Sequence, residues 1–156
     1  MYKLKYWNVV ALLLTVMFFM SACDQDELND NPIPDPEGTV LVQMRNRDYG
    51  RTEVYMEEGN RGGWFYIDSG NNFTGSAYVS FISVGRVNGL KDVRNLPEYG
   101  WSESVAVVPH NGYFVRYGSG SSYMRIYIVD YIVSTGGGII GATVKYQRGF
   151  IPENLQ

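Results

Sequence analysis

The sequence predicts an all-β fold: a single β-sandwich of about eight antiparallel strands, with a partly open β-barrel as the alternative. Three observations carry this expectation. From residue 38 onward almost every apolar segment alternates with period two, the pattern of strands with one buried face. No segment there of ten or more residues has the helical period. Clusters rich in Gly, Asn and Ser separate the segments at short intervals, as turns do. Residues 38–156 are long enough for one core, burying roughly two-thirds of the surface that the unfolded chain exposes.

The chain opens with residues that stand apart from that domain. Residues 1–8 carry Lys3 and Lys5 and no acid, and residues 9–20 are uncharged with only Thr15 polar. The run closes on Phe18-Phe19-Met20-Ser21-Ala22-Cys23. A basic start, an apolar run and small residues before a cleavage point make a secretory leader, expected over residues 1–22. Residues 9–22 fall short of the ~20 residues that a spanning helix needs. Asp24, Asp26 and Glu27 follow at once, which disfavours a signal anchor.

Met20-Ser21-Ala22-Cys23 resembles the lipobox of bacterial lipoproteins, with Met20 where Leu is usual. The resemblance implies cleavage before Cys23, diacylglycerol on its thiol and a further acyl chain on the new amine. One chain gives only marginal membrane binding, so stable anchoring takes more than one. Cys23 is the single cysteine, which leaves no disulfide and no thiolate chemistry.

Residues 23–37 read as a tether. Asp24, Asp26, Glu27, Asp30, Asp35 and Glu37 face no base, and Pro32, Pro34 and Pro36 alternate. So polar a stretch cannot bury enough apolar surface to order itself, and its Pro-rich half should extend ~3.1 Å per residue. Acids just after a lipidated Cys resemble the export signal of Bacteroidetes surface lipoproteins, which implies an outer-membrane protein facing the medium. In other bacteria Asp directly after the Cys implies inner-membrane retention. Asp24 to Asp30 is a poor EF-hand, because Leu28 and Asn29 stand where that loop needs an oxygen ligand and Gly. With the leader and tether set aside, the domain holds eleven Lys plus Arg against ten acids. That near-neutral balance does not point to nucleic acid, which would want a basic face.

Within the domain, residues 39–46 and 52–57 alternate, residues 58–63 turn, and residues 64–68 return as the partner strand. A turn over residues 68–72 precedes a longer strand at 76–84. Asn72-Phe73-Thr74 matches a glycosylation sequon, a match without weight in a bacterial lipoprotein. Residues 85–100 are the least regular, with room for one helical turn at 89–95. Strands follow at 101–108 and 113–117 around an Asn111-Gly112 hairpin signal. Residues 118–122 read as a flexible loop. Strand 123–133 puts Met124, Ile126, Ile128 and Ile132 on one side, and Tyr123, Arg125, Tyr127 and Tyr131 on the other. Asp130 interrupts the aliphatic side and predicts a bulge, a strand end or a hydrogen-bonded carboxylate. Residues 134–138 turn and 139–147 pair back.

Residues 112–117, 124–131 and 137–147 are similar to the C-terminal half of a family of uncharacterised Bacteroidetes lipoproteins, a domain of unknown function. The resemblance implies a surface lipoprotein and no site residue.

Searches for chemistry return little. His110, the single histidine, sits in a Pro-His-Asn-Gly turn and reads as solvated, and no Gly-x-Ser-x-Gly elbow supplies a nucleophile. One histidine does not make a zinc site, and Gly136-Gly137-Gly138 lacks the Gly-Lys-Ser/Thr of a phosphate loop. No catalytic residue, metal or cofactor is expected. No spacing singles out a carboxylate pair of the kind glycoside hydrolysis uses. The surplus is aromatic: Trp64, Trp101, eleven tyrosines and five phenylalanines follow the leader. Trp64, Tyr66, Tyr123, Arg125, Tyr127 and Tyr131 are the candidate platform for a glycan or a partner outer-membrane protein. Cross-strand packing of the same residues, or their burial in the sandwich, is the competing expectation. A structural or assembly subunit, adhesin- or pilus-like, is the rival function, and a small hydrolase the third.

Overall fold

In the computed structural model, residues 35–119 and 123–156 are described. The leader, Cys23 and the tether through residue 34 lie outside them, as do residues 120–122 of the loop expected to be flexible. The folded unit runs Asp35–Gln156, so it takes in the last three residues of the stretch read as tether. Lys145 Nζ donates to Asp35 Oδ2 at 2.6 Å and Gln147 Nε2 to the Glu37 carbonyl at 2.8 Å.

Nine strands form two antiparallel sheets: β1 (Val40–Arg45), β2 (Val54–Glu57), β3 (Arg61–Ile67), β4 (Asn72–Gly75), β5 (Val79–Arg86), β6 (Ser104–Ala106), β7 (Asn111–Tyr117), β8 (Tyr123–Val133) and β9 (Ile139–Phe150). One sheet has the order β1-β9-β8-β7-β5 and the other β2-β3-β4-β6. The sheets do not close into a barrel, so the sandwich expectation holds. Among the described residues the only helical pieces are three-residue 3-10 turns, one of them at Leu90–Asp92 inside the irregular stretch. The added strand is β4, whose four residues follow directly on a turn.

The core lies between the sheets. Phe65, Phe73, Phe81 and Tyr113 interlock there with centroids 5.4–5.7 Å apart, among Met44, Ile67, Val115, Met124, Ile126, Ile128 and Val144. Burying one such ring contributes about 1.5–3 kcal/mol. Gly141, across from Arg45 at φ +152, brings β9 against β1. A side-chain carbon there would stand 2.1 Å from the Met44 carbonyl oxygen.

A second apolar cluster covers the other face of the five-stranded sheet. Ile82, Leu90, Val93 and Phe114 are buried in it, with Val87, Leu96, Trp101, Tyr123, Tyr127 and Phe150 packed around them. The stretch between β5 and β6 is thus a lid of irregular backbone on that face. The seams between the sheets are stitched by two isolated bridges, Asn46 with Ile67 and Phe81 with Ser102.

Candidate functional site

The expected platform does not assemble as one surface. A register shift between Ile128 and Asp130 turns β8 over, a consequence of the one extra residue that a bulge inserts. Tyr131 therefore joins Met124, Ile126 and Ile128 on the core side, its hydroxyl donating to the Val107 carbonyl at 2.8 Å. Tyr123 and Tyr127 stay on the opposite face with the second cluster. Asp130 is exposed and accepts from the Tyr131 amide at 2.7 Å.

Arg125, named with the platform, is buried and only 6 % exposed. Its Nε donates to Gln147 Oε1 at 2.8 Å and Nη1 to the Val93 carbonyl at 3.2 Å. Burial pushes its pKa down, and the Arg94 charge adds to the effect. Tyr127 contacts His110, hydroxyl to Nδ1, at 3.1 Å. The single histidine thus meets a phenol, and its backbone φ of +65 belongs to the turn.

Trp64 and Tyr66 lie on the other sheet, side by side on β3 with centroids 5.8 Å apart. Arg51 lies over both rings, 5.1 Å from Trp64 and 4.8 Å from Tyr66, and pairs with Glu53. Glu53 also accepts from the Tyr55 hydroxyl at 3.0 Å, the main reason that the Tyr55 pKa is raised. This patch is capped by its own guanidinium.

The open concavity lies elsewhere, along the seam of β5 and β6. Two shallow depressions of about 540 and 580 Å³ share Arg116 in their linings. The first includes Glu98, Tyr99, Trp101 and Tyr123, and the second Tyr78, Ser80 and Glu103. Of the six platform residues, only Tyr123 lines this groove, and there it stacks on Trp101 at 6.1 Å and 22°. The Arg116 guanidinium lies 4.1 Å from the Trp101 centroid, and its Nε donates to Ser80 Oγ at 3.0 Å. Trp101 is thus already engaged by Tyr123 and Arg116. Tyr78 and Tyr99 are not: they are 78 % and 85 % exposed, the most exposed large apolar side chains among the described residues. Sequence reasoning passed over both. Tyr78 falls within the strand expected at 76–84, whereas β5 begins at Val79 and Tyr78 sits in the turn before it. Tyr99 lies in the irregular stretch where no periodicity marks a face.

The groove brings exposed aromatic rings, two carboxylates and one guanidinium together. Among the described residues no three His, Cys, Asp or Glu side chains gather as a metal site. The charged groups of the groove, Glu98, Glu103 and Arg116, form no ion pair among the described residues.

A family model for a domain of unknown function (DUF5036) matches residues 41–119, just over half of the 156-residue chain. The match covers β1 to β7 and the groove residues Tyr78, Glu98, Tyr99, Trp101, Glu103 and Arg116. It overlaps the stretches that suggested an uncharacterised family only at β7. No curated protein and no solved structure matches the chain.

Proposed function

The chain belongs to the DUF5036 family, a domain of unknown function, and on that premise we propose a lipid-anchored envelope protein whose sandwich is a non-catalytic binding module. Its ligand is a glycan or a partner outer-membrane protein, taken at the groove. The observation that carries this reading is the placement of Tyr78 and Tyr99, almost wholly in water, in depressions that share Arg116. Rings left mostly in water, next to carboxylates and a guanidinium without ion-pair partners among the described residues, suit a ligand with both apolar faces and polar edges.

The anchor rests on the leader and on Met20-Ser21-Ala22-Cys23. The acids after Cys23 support an outer-membrane protein facing the medium. Fatty-acid labelling and detergent phase partition test the anchor, and protease treatment of intact cells tests the exposure. Wild type should carry the label and enter the detergent phase, and Cys23→Ala should do neither. A mature protein that begins upstream of Cys23 would sink the lipoprotein reading.

A structural subunit is the second reading, and one feature favours it. β1 is an edge strand with Leu41 61 % exposed, a surface to which another chain could add a strand. Analytical ultracentrifugation separates the two readings: concentration-dependent assembly favours the subunit. Monodisperse protein with saturable ligand retention favours the module.

A further inference from the structure

We propose that the groove takes an uncharged glycan chain and that Tyr78 is the residue on which a sugar ring stacks. This rests on the reading of the domain as a binding module and narrows its ligand. Tyr78 is the third residue of a tight turn in which the Val79 amide donates to the Ser76 carbonyl at 3.1 Å. Its φ is +71, the left-handed conformation for which a type II turn takes Gly or Asn at this position. A bulky L-residue is strained there.

The neighbours impose the conformation. The Ser76 amide donates to the Trp64 carbonyl at 2.8 Å, and the Gly118 amide to the Tyr78 carbonyl at 2.9 Å. Val79 sits between Gly63 and Gly75, at each of which a side-chain carbon would come within 2.5 Å of it. The turn is therefore fixed from both sides, while the ring that it carries is 78 % exposed. Glycine would relieve the backbone at this position, and strain kept at a side chain left mostly in water points to function.

The groups around Tyr78 define the ligand class. Glu103 lines the same depression, Glu98 and Tyr99 the adjoining one, and Arg116 both. No hydrogen bond among the described residues uses the terminal Nη atoms of Arg116, so they remain as donors, while the two carboxylates remain as acceptors. Two carboxylates against one guanidinium disfavour a polyanion. Sugar hydroxyls both donate and accept, and a pyranose presents an apolar face to an aromatic ring. Two depressions joined at one residue suit successive sugars of a chain better than a single ring.

The test is native affinity electrophoresis of the full chain in gels containing xylan, glucomannan or dextran, beside polygalacturonate and chondroitin sulfate. Retention by at least one neutral polysaccharide is expected. Tyr78→Gly should weaken it by at least about tenfold, the scale of losing one aromatic anchor, with a melting temperature equal to or above that of wild type. Tyr78→Asn, which also tolerates the left-handed backbone, should behave alike. Retention by the polyanions alone overturns the proposal and leaves the binding reading standing. Neutral retention unchanged in both variants moves the site away from Tyr78 and overturns it equally. A lower melting temperature in both variants removes the strain argument. Retention by no gel overturns the proposal together with the glycan half of the reading above.

Discussion

The guanidinium carbon of Arg125 lies 3.9 Å from the centroid of Phe150, and the contact joins three separate parts of the chain. Through it and the bonds to Gln147 and the Val93 carbonyl, β8 grips the end of β9 and the irregular lid. No carboxylate is within ion-pair distance of Arg125 among the described residues, so its worth lies in packing and hydrogen bonds. Arg125→Ala should cost about 2–4 kcal/mol in urea unfolding, from lost packing and two abandoned acceptors. Arg125→Met, which keeps a stem over Phe150, should recover part of that loss. Equal losses in the two variants would contradict the packing account.

Gly141→Ala should be the most damaging single-carbon change in the domain. The new carbon would meet backbone, 2.1 Å from the Met44 oxygen and 3.0 Å from the Arg45 Cα, and no side chain can move aside to relieve it. A loss above about 3 kcal/mol is expected, read by thermal unfolding, with the β1–β9 amides losing hydrogen-exchange protection first.

Tyr113 carries a pH dependence. Its buried hydroxyl donates to the Ala106 carbonyl at 2.8 Å and accepts from the Val108 amide at 3.0 Å. Burial raises its pKa above the ordinary 10.0. The native state thus keeps a proton that the unfolded chain releases, so stability from this group is complete below pH 10 and is lost as pH rises toward the raised value. Urea titrations on either side of pH 10 should show a steeper alkaline loss in wild type than in Tyr113→Phe. At neutral pH that variant should be about 1–3 kcal/mol less stable, because the Val108 amide and the Ala106 carbonyl lose their partner.

Tyr131→Ala and Tyr127→Ala should differ. Tyr131 packs on the main core and bonds Val107, so its loss should cost about 3 kcal/mol. Tyr127 lies at the edge of the second cluster beside His110, and its loss should cost less. Neither lines the groove, so retention in the glycan gels should be unchanged in both once each is shown to be folded.

The same pair shows what the sequence could reveal. Period-two alternation located most strands, and Asp130 marked the interruption of β8. Alternation alone cannot say what lies beyond a bulge, because one extra residue exchanges the faces for every position after it. Tyr127 and Tyr131 therefore looked like neighbours on one face and are on opposite sides. β4 was missed because Asn72-Phe73-Thr74-Gly75 offers one buried residue and reads as part of its turn. The lid over the five-stranded sheet was equally hidden: Val87, Leu90, Val93 and Leu96 recur every third residue, the 3-10 period, but only the single turn Leu90–Asp92 forms there. Tyr78 was hidden inside the strand expected at 76–84, because Ser76-Ala77-Tyr78-Val79 alternates as a strand would, and only the Val79 to Ser76 hydrogen bond shows the turn.

The order of the five-stranded sheet has a mechanical consequence. The chain enters at β1, whereas Ser80 lies on β5 at the far edge, on the order of 19 Å away across four strand spacings, and Arg116 on β7 one spacing nearer. Inter-strand hydrogen bonds run perpendicular to the strands. On the proposed anchor and the proposed glycan, a pull between ligand and membrane would load these ladders along their own bonds and open them in succession like a zipper. On those proposals the domain would yield at lower force than one whose ladders were loaded in shear.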